Sequence, residues 1–180
     1  MMLNNPILNR ISTKNWQYNS IVLIMFFVLS LPAYAAITDH LKKVGEGHMS
    51  WMFLDIYRAT FFTENGVYQA FDYPQALSIT YLKDINKNRL LEATKKQWLL
   101  QDYDQLQIES WIDELSQIWP NIKSNDNLIF YVDKNNQGIF YYNQRLIGSV
   151  SDKELSTAFL AIWLSHKTSQ PKLRRQLLGI

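Results

Sequence analysis

The sequence predicts an α+β domain in which helices gather against a largely antiparallel sheet. Two observations carry this prediction. Strand-like runs, some with alternating apolar and polar residues, lie on both sides of a central segment whose apolar residues recur with the helical period. The strands after this segment are separated only by short polar turns, a pattern that is typical of an antiparallel meander.

The first predicted strands form a pair. Gly45 and Gly47 lead into a strand at 48–54 and are expected to let it start, and a second strand follows at 56–62. Both runs are largely apolar on each face, so we expect this region to be covered on both sides. A third strand is predicted at 76–83, where apolar residues alternate with serine and threonine.

The central segment predicts two helices. Asn86 or Asn88 can cap the first helix, which extends through Trp98. The second helix carries one apolar stripe along residues 108–119, and Pro120 ends it.

Three short strands and two further helices complete the predicted order. The strands of the meander occupy residues 128–133, 138–142 and 145–150. Ser151 with Glu154 matches a capping box at the start of the next helix. Pro171 opens a short last helix and Gly179 closes it. The basic residues of that helix are expected on its solvent face, with contact to a membrane surface as the alternative; they are Lys172, Arg174 and Arg175.

The first 35 residues predict a cleaved secretory signal peptide. Two positive charges without acids precede an uncharged run of 11 residues at 21–31, and the small-x-small pattern Ala33-Tyr34-Ala35 follows. We expect cleavage after Ala35, a single domain at 36–180 and a periplasmic location. A spanning helix needs about 20 apolar residues, more than this run offers, so an uncleaved anchor is the alternative and not the expectation. No stable membrane insertion is expected after cleavage.

Composition excludes several functional classes. Residues 36–180 carry 16 basic and 16 acidic side chains, so the chain lacks the positive footprint of a nucleic-acid binder. Cysteine is absent, which excludes disulfides, thiolate metal sites and cysteine nucleophiles. The three histidines have no metal-binding spacing, and no phosphate loop or nucleophile elbow is present. We therefore predict no metal, no cofactor and no catalytic residue.

Aromatic side chains with polar ends are the remaining candidates for a site. Together they could line a pocket that suits a flat or long apolar ligand with one polar end. They are Tyr57, Tyr81, Tyr131, Tyr141, Tyr142 and Trp98. Packing in the core is the alternative for each of them. His48 is a further candidate, because an imidazole in an apolar strand must find a polar partner.

Several motifs together indicate a family. Residues 56–62, Ile-Tyr-Arg-Ala-Thr-Phe-Phe, are similar to a strand with the pattern VYxAxLY, and further similar stretches lie at 44–45, 76–85, 92–98, 142–148, 158–164 and 173–179. In order and spacing these stretches resemble the bacterial chalcone isomerase-like family of exported proteins, over about residues 41–179. The resemblance implies an open-faced β-sandwich in which helices pack on a curved antiparallel sheet.

The resemblance does not carry over the catalytic residues of plant chalcone isomerases. Those enzymes close a flavanone ring by stabilising a developing enolate with an arginine, a threonine and a tyrosine, with an asparagine nearby. Matching the motifs places Met52 at the threonine position, Leu90 near the tyrosine and Gln97 near the asparagine. The strand that should supply the arginine has none, so the ring-closing set is expected to be missing.

Other members of this fold bind fatty acids, and the resemblance implies that an arginine and a tyrosine hold the carboxylate. Tyr57, Tyr81, Arg58 and His48 could supply such a polar end here. Tyr57 and Arg58 are neighbours in one strand and point to opposite faces, so we favour Tyr57. The predicted ligand-binding residues are Tyr57, Tyr81, His48 and Trp98.

The sequence therefore predicts an exported, non-catalytic domain that binds a small apolar or amphiphilic ligand, either fatty-acid-like or aromatic. An intramolecular lyase or isomerase of the chalcone isomerase type is one alternative. A structural or interaction protein of the cell envelope is the other. The sequence names no protein partner.

Overall fold

Six strands form one antiparallel sheet in which the spatial order of the strands equals their order along the chain. The structure is a computed structural model that describes residues 37–180, so the predicted signal peptide at 1–35 lies outside the described residues. The strands are β1 (Lys42–Trp51), β2 (Leu54–Thr63), β3 (Gln75–Tyr81), β4 (Asn127–Val132), β5 (Gly138–Tyr142) and β6 (Arg145–Ser149). Register shifts at 43–45, 49–50 and 140–141 mark bulges, which bend and twist a sheet.

Four helices accompany the sheet, as the α+β prediction requires. They are α1 (Lys87–Leu100), α2 (Gln105–Ile118), α3 (Lys153–Leu164) and α4 (Pro171–Leu178). Asn86 caps α1, since its side-chain carbonyl accepts the Asn88 amide at 2.8 Å. Within residues 37–180, no helix combines the length and apolarity needed to cross a membrane.

The main core contains residues from the sheet and from all four helices. Alternate residues of the central strands, such as Phe61, Leu77 and Phe130, belong to the same buried cluster as Trp98 of α1 and Phe159 of α3. A second, much smaller cluster contains Leu41, Ala76 and Ile129. Since successive strand residues face opposite sides, Ala76 and Leu77 place the two clusters on opposite faces.

Two glycines have a different role from the predicted one. Gly45 and Gly47 lie within β1, not before it. A Cβ on Gly45 would lie 2.1 Å from the Gln176 carbonyl oxygen of α4, and one on Gly47 would lie 2.7 Å from Leu173. The missing side chains therefore let α4 pack directly against the strand.

The expectation that the first strand pair is covered on both sides is wrong. The strands β1 and β2 meet in a two-residue turn, with Trp51 paired to Leu54. All four residues at 51–54 are exposed. The apolar run that suggested a buried strand is instead the end of a projecting hairpin.

The predicted capping box at the start of α3 is also wrong. Asp152 is the N-cap, and its carboxylate accepts the Glu154 amide at 2.8 Å and the Trp111 indole N–H at 2.7 Å. The Ser151 hydroxyl bonds to Glu114 of α2. Trp111 and Glu114 of α2, both distant in sequence, bond to Asp152 and Ser151 and replace the predicted pairing of Ser151 with Glu154.

Candidate ligand-binding site

An apolar cavity of about 220 Å³ opens between the sheet and the helices. It is larger than the engineered cavity of about 150 Å³ that accommodates benzene in another protein. The lining residues are Met49, Ile56, Tyr57, Tyr81, Ile85, Arg89, Leu90, Ala93, Thr94, Gln97, Trp119, Leu128, Phe159, Ile162, Trp163, Ser169 and Gln170. Strands β1 to β4, helices α1 and α3 and the segment before α4 all contribute to this wall.

Buried aromatic and aliphatic side chains form the floor of the cavity. The ring of Phe159 is edge-to-face with the rings of Trp119 and Trp163, at 5.8 Å and 5.3 Å between centroids. Leu128 and Ile162 are also buried lining residues. Such rings supply a large apolar contact area with little conformational freedom to lose when a ligand binds.

Two tyrosines from neighbouring strands bring hydroxyl groups to this floor. Tyr57 and Tyr81 are paired across β2 and β3, and their ring centroids are 6.0 Å apart. Burial raises the pKa of Tyr57 to about 12, against the lowering effect of its hydrogen bond with Trp163. Burial, reinforced by neighbouring Tyr57, raises the pKa of Tyr81 well above its usual range. Both hydroxyls are therefore protonated near neutral pH.

These groups leave the cavity rich in donors. The Tyr57 oxygen accepts the indole N–H of Trp163 at 2.9 Å, so its own proton remains available. The Tyr81 hydroxyl has no hydrogen-bond partner within residues 37–180. The buried indole N–H of Trp119 also lacks an acceptor there. Buried polar groups normally have a hydrogen-bond partner. An acceptor atom of a ligand could therefore pair with the donors of this wall.

The polar lining residues mark the opening of the cavity. Arg89 and Ser169 are exposed, and Gln97 and Gln170 are half-buried, whereas the aromatic floor is buried. The Gln97 side chain accepts the Ser169 hydroxyl at 2.7 Å, which ties α1 to the segment before α4. Arg89 makes no ion pair within the described residues. The opening thus presents one uncompensated guanidinium.

The structure brings together two of the four predicted ligand-binding residues. Tyr57 and Tyr81 line the cavity. His48 is exposed and pairs across the strands with Arg58, and both line a separate cleft. Trp98 is fully buried and does not line the cavity; its indole N–H donates to the Ala158 carbonyl at 2.9 Å.

The lining residues that were not predicted to bind the ligand lie mainly on α1, although the family resemblance had matched Leu90 and Gln97 to catalytic positions of plant chalcone isomerases. Arg89, Leu90, Ala93, Thr94 and Gln97 line the cavity, and their spacing repeats along one face of a helix. That face combines a cation, a methyl group and an amide, so it does not resemble an apolar stripe. The spacing of three and four residues after the Asn86 cap was the sequence signal that these side chains share one helix face. Among the described residues, no group of three or more acidic or histidine side chains could hold a metal ion.

Comparisons with known proteins agree with this architecture. The sequence pattern of the chalcone isomerase-like family matches residues 32–179. An uncharacterized protein of Haemophilus influenzae is 30% identical over 146 residues, which cover 81% of this chain and 71% of that protein. The crystal structure of a fatty-acid binding protein of Arabidopsis thaliana superposes with a TM-score of 0.61 at 14% identity, covering 80% of this chain and 89% of that one. The predicted open-faced sandwich is confirmed, and the chain belongs to the chalcone isomerase-like family.

Proposed function

We propose that this protein is an exported, non-catalytic domain of the periplasm that binds a small apolar or amphiphilic ligand. The observation that carries the proposal is the apolar cavity with an arginine at its opening. Such a site suits a fatty-acid-like molecule or an aromatic acid, whose apolar part can fill the floor while its polar end stays near water. The fatty-acid binding protein with the same fold supports this assignment.

The hydrogen-bonding groups of the wall narrow the chemistry of the ligand. Tyr57 has a hydroxyl proton free to donate, the Tyr81 hydroxyl can donate or accept, and Trp119 offers an indole N–H that can only donate. A carbonyl or ether oxygen within the apolar part of the ligand would pair with these groups, whereas a purely apolar ligand would leave the Trp119 N–H without a partner. The preferred ligand is therefore an oxygen acceptor joined to an apolar body.

The position of Arg89 favours binding over ring closure. Stabilising the enolate as plant chalcone isomerases do requires an arginine fixed beside the developing charge inside a dry cleft. Arg89 is exposed at the opening, and its positive charge can meet a carboxylate there without being desolvated. The buried hydroxyls of Tyr57 and Tyr81 are protonated near neutral pH, so neither offers a base.

Blocking the opening tests the proposal. Ala93 is an exposed small residue of the lining, and Ala93→Phe places a ring in the opening without disturbing the core. Dodecanoic acid and 4-coumaric acid at saturating concentration are each added, and the melting temperature is measured. The natural sequence should gain roughly 5–10 °C with at least one of them, from about 2.7 kcal/mol of linkage at 100 times Kd. Ala93→Phe should lose that shift.

The matched control is Glu92→Phe, which adds the same ring to the neighbouring exposed position outside the lining. It should retain the full shift. Solvent extraction of gently purified protein, followed by mass spectrometry, should also recover an apolar or amphiphilic compound. Clean protein without any melting shift for either ligand would contradict the proposed function.

The contribution of Arg89 is expected to depend on the charge of the ligand. Arg89→Gln should weaken binding of dodecanoic acid by roughly twofold to fivefold, since an exposed ion pair contributes at most about 1 kcal/mol. Binding of dodecanol should be unchanged, and exposed Arg145, which is not a lining residue, provides the control as Arg145→Gln. Calorimetric titration measures both ligands. Equal losses for acid and alcohol would show that Arg89 acts through packing.

A further inference from the structure

The end of the β1–β2 hairpin exposes four consecutive large apolar side chains. We name residues 51–54 the apolar tip. The exposed fractions are 66% for Trp51, 76% for Met52, 99% for Phe53 and 52% for Leu54. Isolated exposed apolar residues are common in soluble proteins, but a contiguous cluster indicates an interaction site.

Neither the fold nor the turn geometry requires these residues. Met52 has a positive φ of 56°, a conformation that favours glycine or asparagine in two-residue hairpin turns. The β5–β6 hairpin turns through Asn143-Gln144, and the β4–β5 hairpin turns through the polar residues 134–137. The chain thus uses polar residues in its other hairpin turns, so the apolar tip calls for a different explanation.

The apolar tip lies next to the wall of the ligand cavity. Met49 of β1 and Ile56 of β2 line the cavity, and each is two residues from the apolar tip. Two residues of strand span about 7 Å. Apolar lining residues of both strands therefore lie about 7 Å from the apolar tip, with the polar Ser50 and Asp55 between them.

Basic side chains flank the same hairpin. Lys172 lines a cleft together with His48 and Ser50 of β1. The Leu82 amide bonds to the Ile56 carbonyl at 2.8 Å, which brings Lys83 to the end of β2 near the apolar tip. The acidic side chain of the hairpin end, Asp55, accepts the Ser50 hydroxyl at 2.5 Å. Arg89 at the cavity opening adds a further positive charge.

We propose that the apolar tip is a membrane-docking element, which enters the surface of an anionic lipid bilayer and brings the cavity opening to it. Tryptophan prefers the boundary between headgroups and acyl chains, and methionine, phenylalanine and leucine suit the apolar region below it. Flanking lysines then meet anionic headgroups. A projection of four side chains is too narrow for a stable protein interface, which needs about 800 Å² per partner. Passage of a ligand between bilayer and cavity rests on the proposed function; docking itself does not.

Vesicle binding tests the proposal on residues 36–180, which form a compact unit with its own core. Vesicles of phosphatidylethanolamine with phosphatidylglycerol are sedimented with the protein. Phe53→Ser should weaken partitioning by about tenfold, the effect expected for removing one buried phenyl ring. Phe71→Ser is the matched control, since Phe71 is 71% exposed in another loop, and its effect should stay within about twofold.

A second variant separates docking from folding. Met52→Gly with Phe53→Ser installs a favourable turn at the positive φ, so it should melt no lower than the natural sequence and still fail to bind vesicles. Trp51 provides the optical signal, because the other four tryptophans of the described residues are at most 9% exposed. Acrylamide quenching of the natural sequence should fall when vesicles are added and should not fall with this variant.

Three results would overturn the proposal: no binding to these vesicles, equal binding of the tip variants, or a dimer in vesicle-free solution that Phe53→Ser dissolves. The last result would assign the apolar tip to self-association. Ala93→Phe, which closes the cavity opening, should still bind vesicles. This result would show that docking does not require a ligand in the cavity. Vesicle binding without any ligand-induced rise in melting temperature would support this proposal and contradict the proposed function.

Discussion

Gly45→Ala is expected to destabilise the protein by about 3 kcal/mol or more, well above the cost of an ordinary surface change. The added methyl carbon would lie 2.1 Å from the Gln176 carbonyl oxygen and 2.7 Å from that of Leu177. Both are backbone atoms, so no side-chain rotation relieves the clash. Helix α4 must move away from β1, and the buried contacts of Leu173 and Leu177 are weakened with it.

Urea unfolding followed by circular dichroism measures this effect, and Gly148→Ala provides the control. The three atoms nearest to a Cβ at Gly148 all belong to the side chain of Ile118, the closest at 3.0 Å, and this side chain can adjust. Its expected cost is about 1 kcal/mol or less. Similar losses for the two variants would show that α4 does not pack against β1 as the structure describes.

Phe159→Ala is expected to lower stability by about 3–5 kcal/mol and at the same time to enlarge the ligand site. The Phe159 side chain is buried and contacts the rings of Phe130, Phe140, Trp119 and Trp163. Because it also lines the cavity, the space left by its ring joins the space for the ligand. Longer or bulkier ligands should then bind better than in the natural sequence, and they should restore part of the lost stability.

Phe130→Ala separates the two effects. Phe130 is equally buried in the core but is not a lining residue, so this variant should lose comparable stability without a change in ligand preference. Melting temperatures with fatty acids of increasing chain length measure both quantities. An unchanged chain-length preference in Phe159→Ala would mean that ligands do not reach the aromatic floor.

Local patterns were sufficient to predict the elements of the fold. The Asn86 cap, the Pro120 stop, the polar turns of the meander and the Gly179 end each depend on residues close in sequence, and the structure shows the corresponding helices and strands. Tyr57 and Tyr81 both reach the cavity because their strands pair with these residues opposite each other.

The remaining features depend on how elements pack against each other. Arg89 reaches the cavity because of the rotation of α1 relative to the sheet, which no sequence period specifies. Asp152 displaced the predicted cap because Trp111, distant in sequence, also bonds to its carboxylate. The run at 51–54 was assigned to a covered strand because alternation cannot distinguish a buried strand from an exposed hairpin end.

The sequential order of the strands has a consequence for folding. Short connections join β1 to β2 and β4 to β5 to β6, so these pairs can form locally and quickly. Pairing β3 with β4 instead requires closure of the long excursion that contains α1 and α2, which carries the largest loop-entropy cost among the strand connections. The two backbone bonds that tie Tyr81 to Asn125 and Asp126 close the base of this excursion. Docking of the helical pair, and with it one side of the cavity, is therefore coupled to the step that joins the two halves of the sheet.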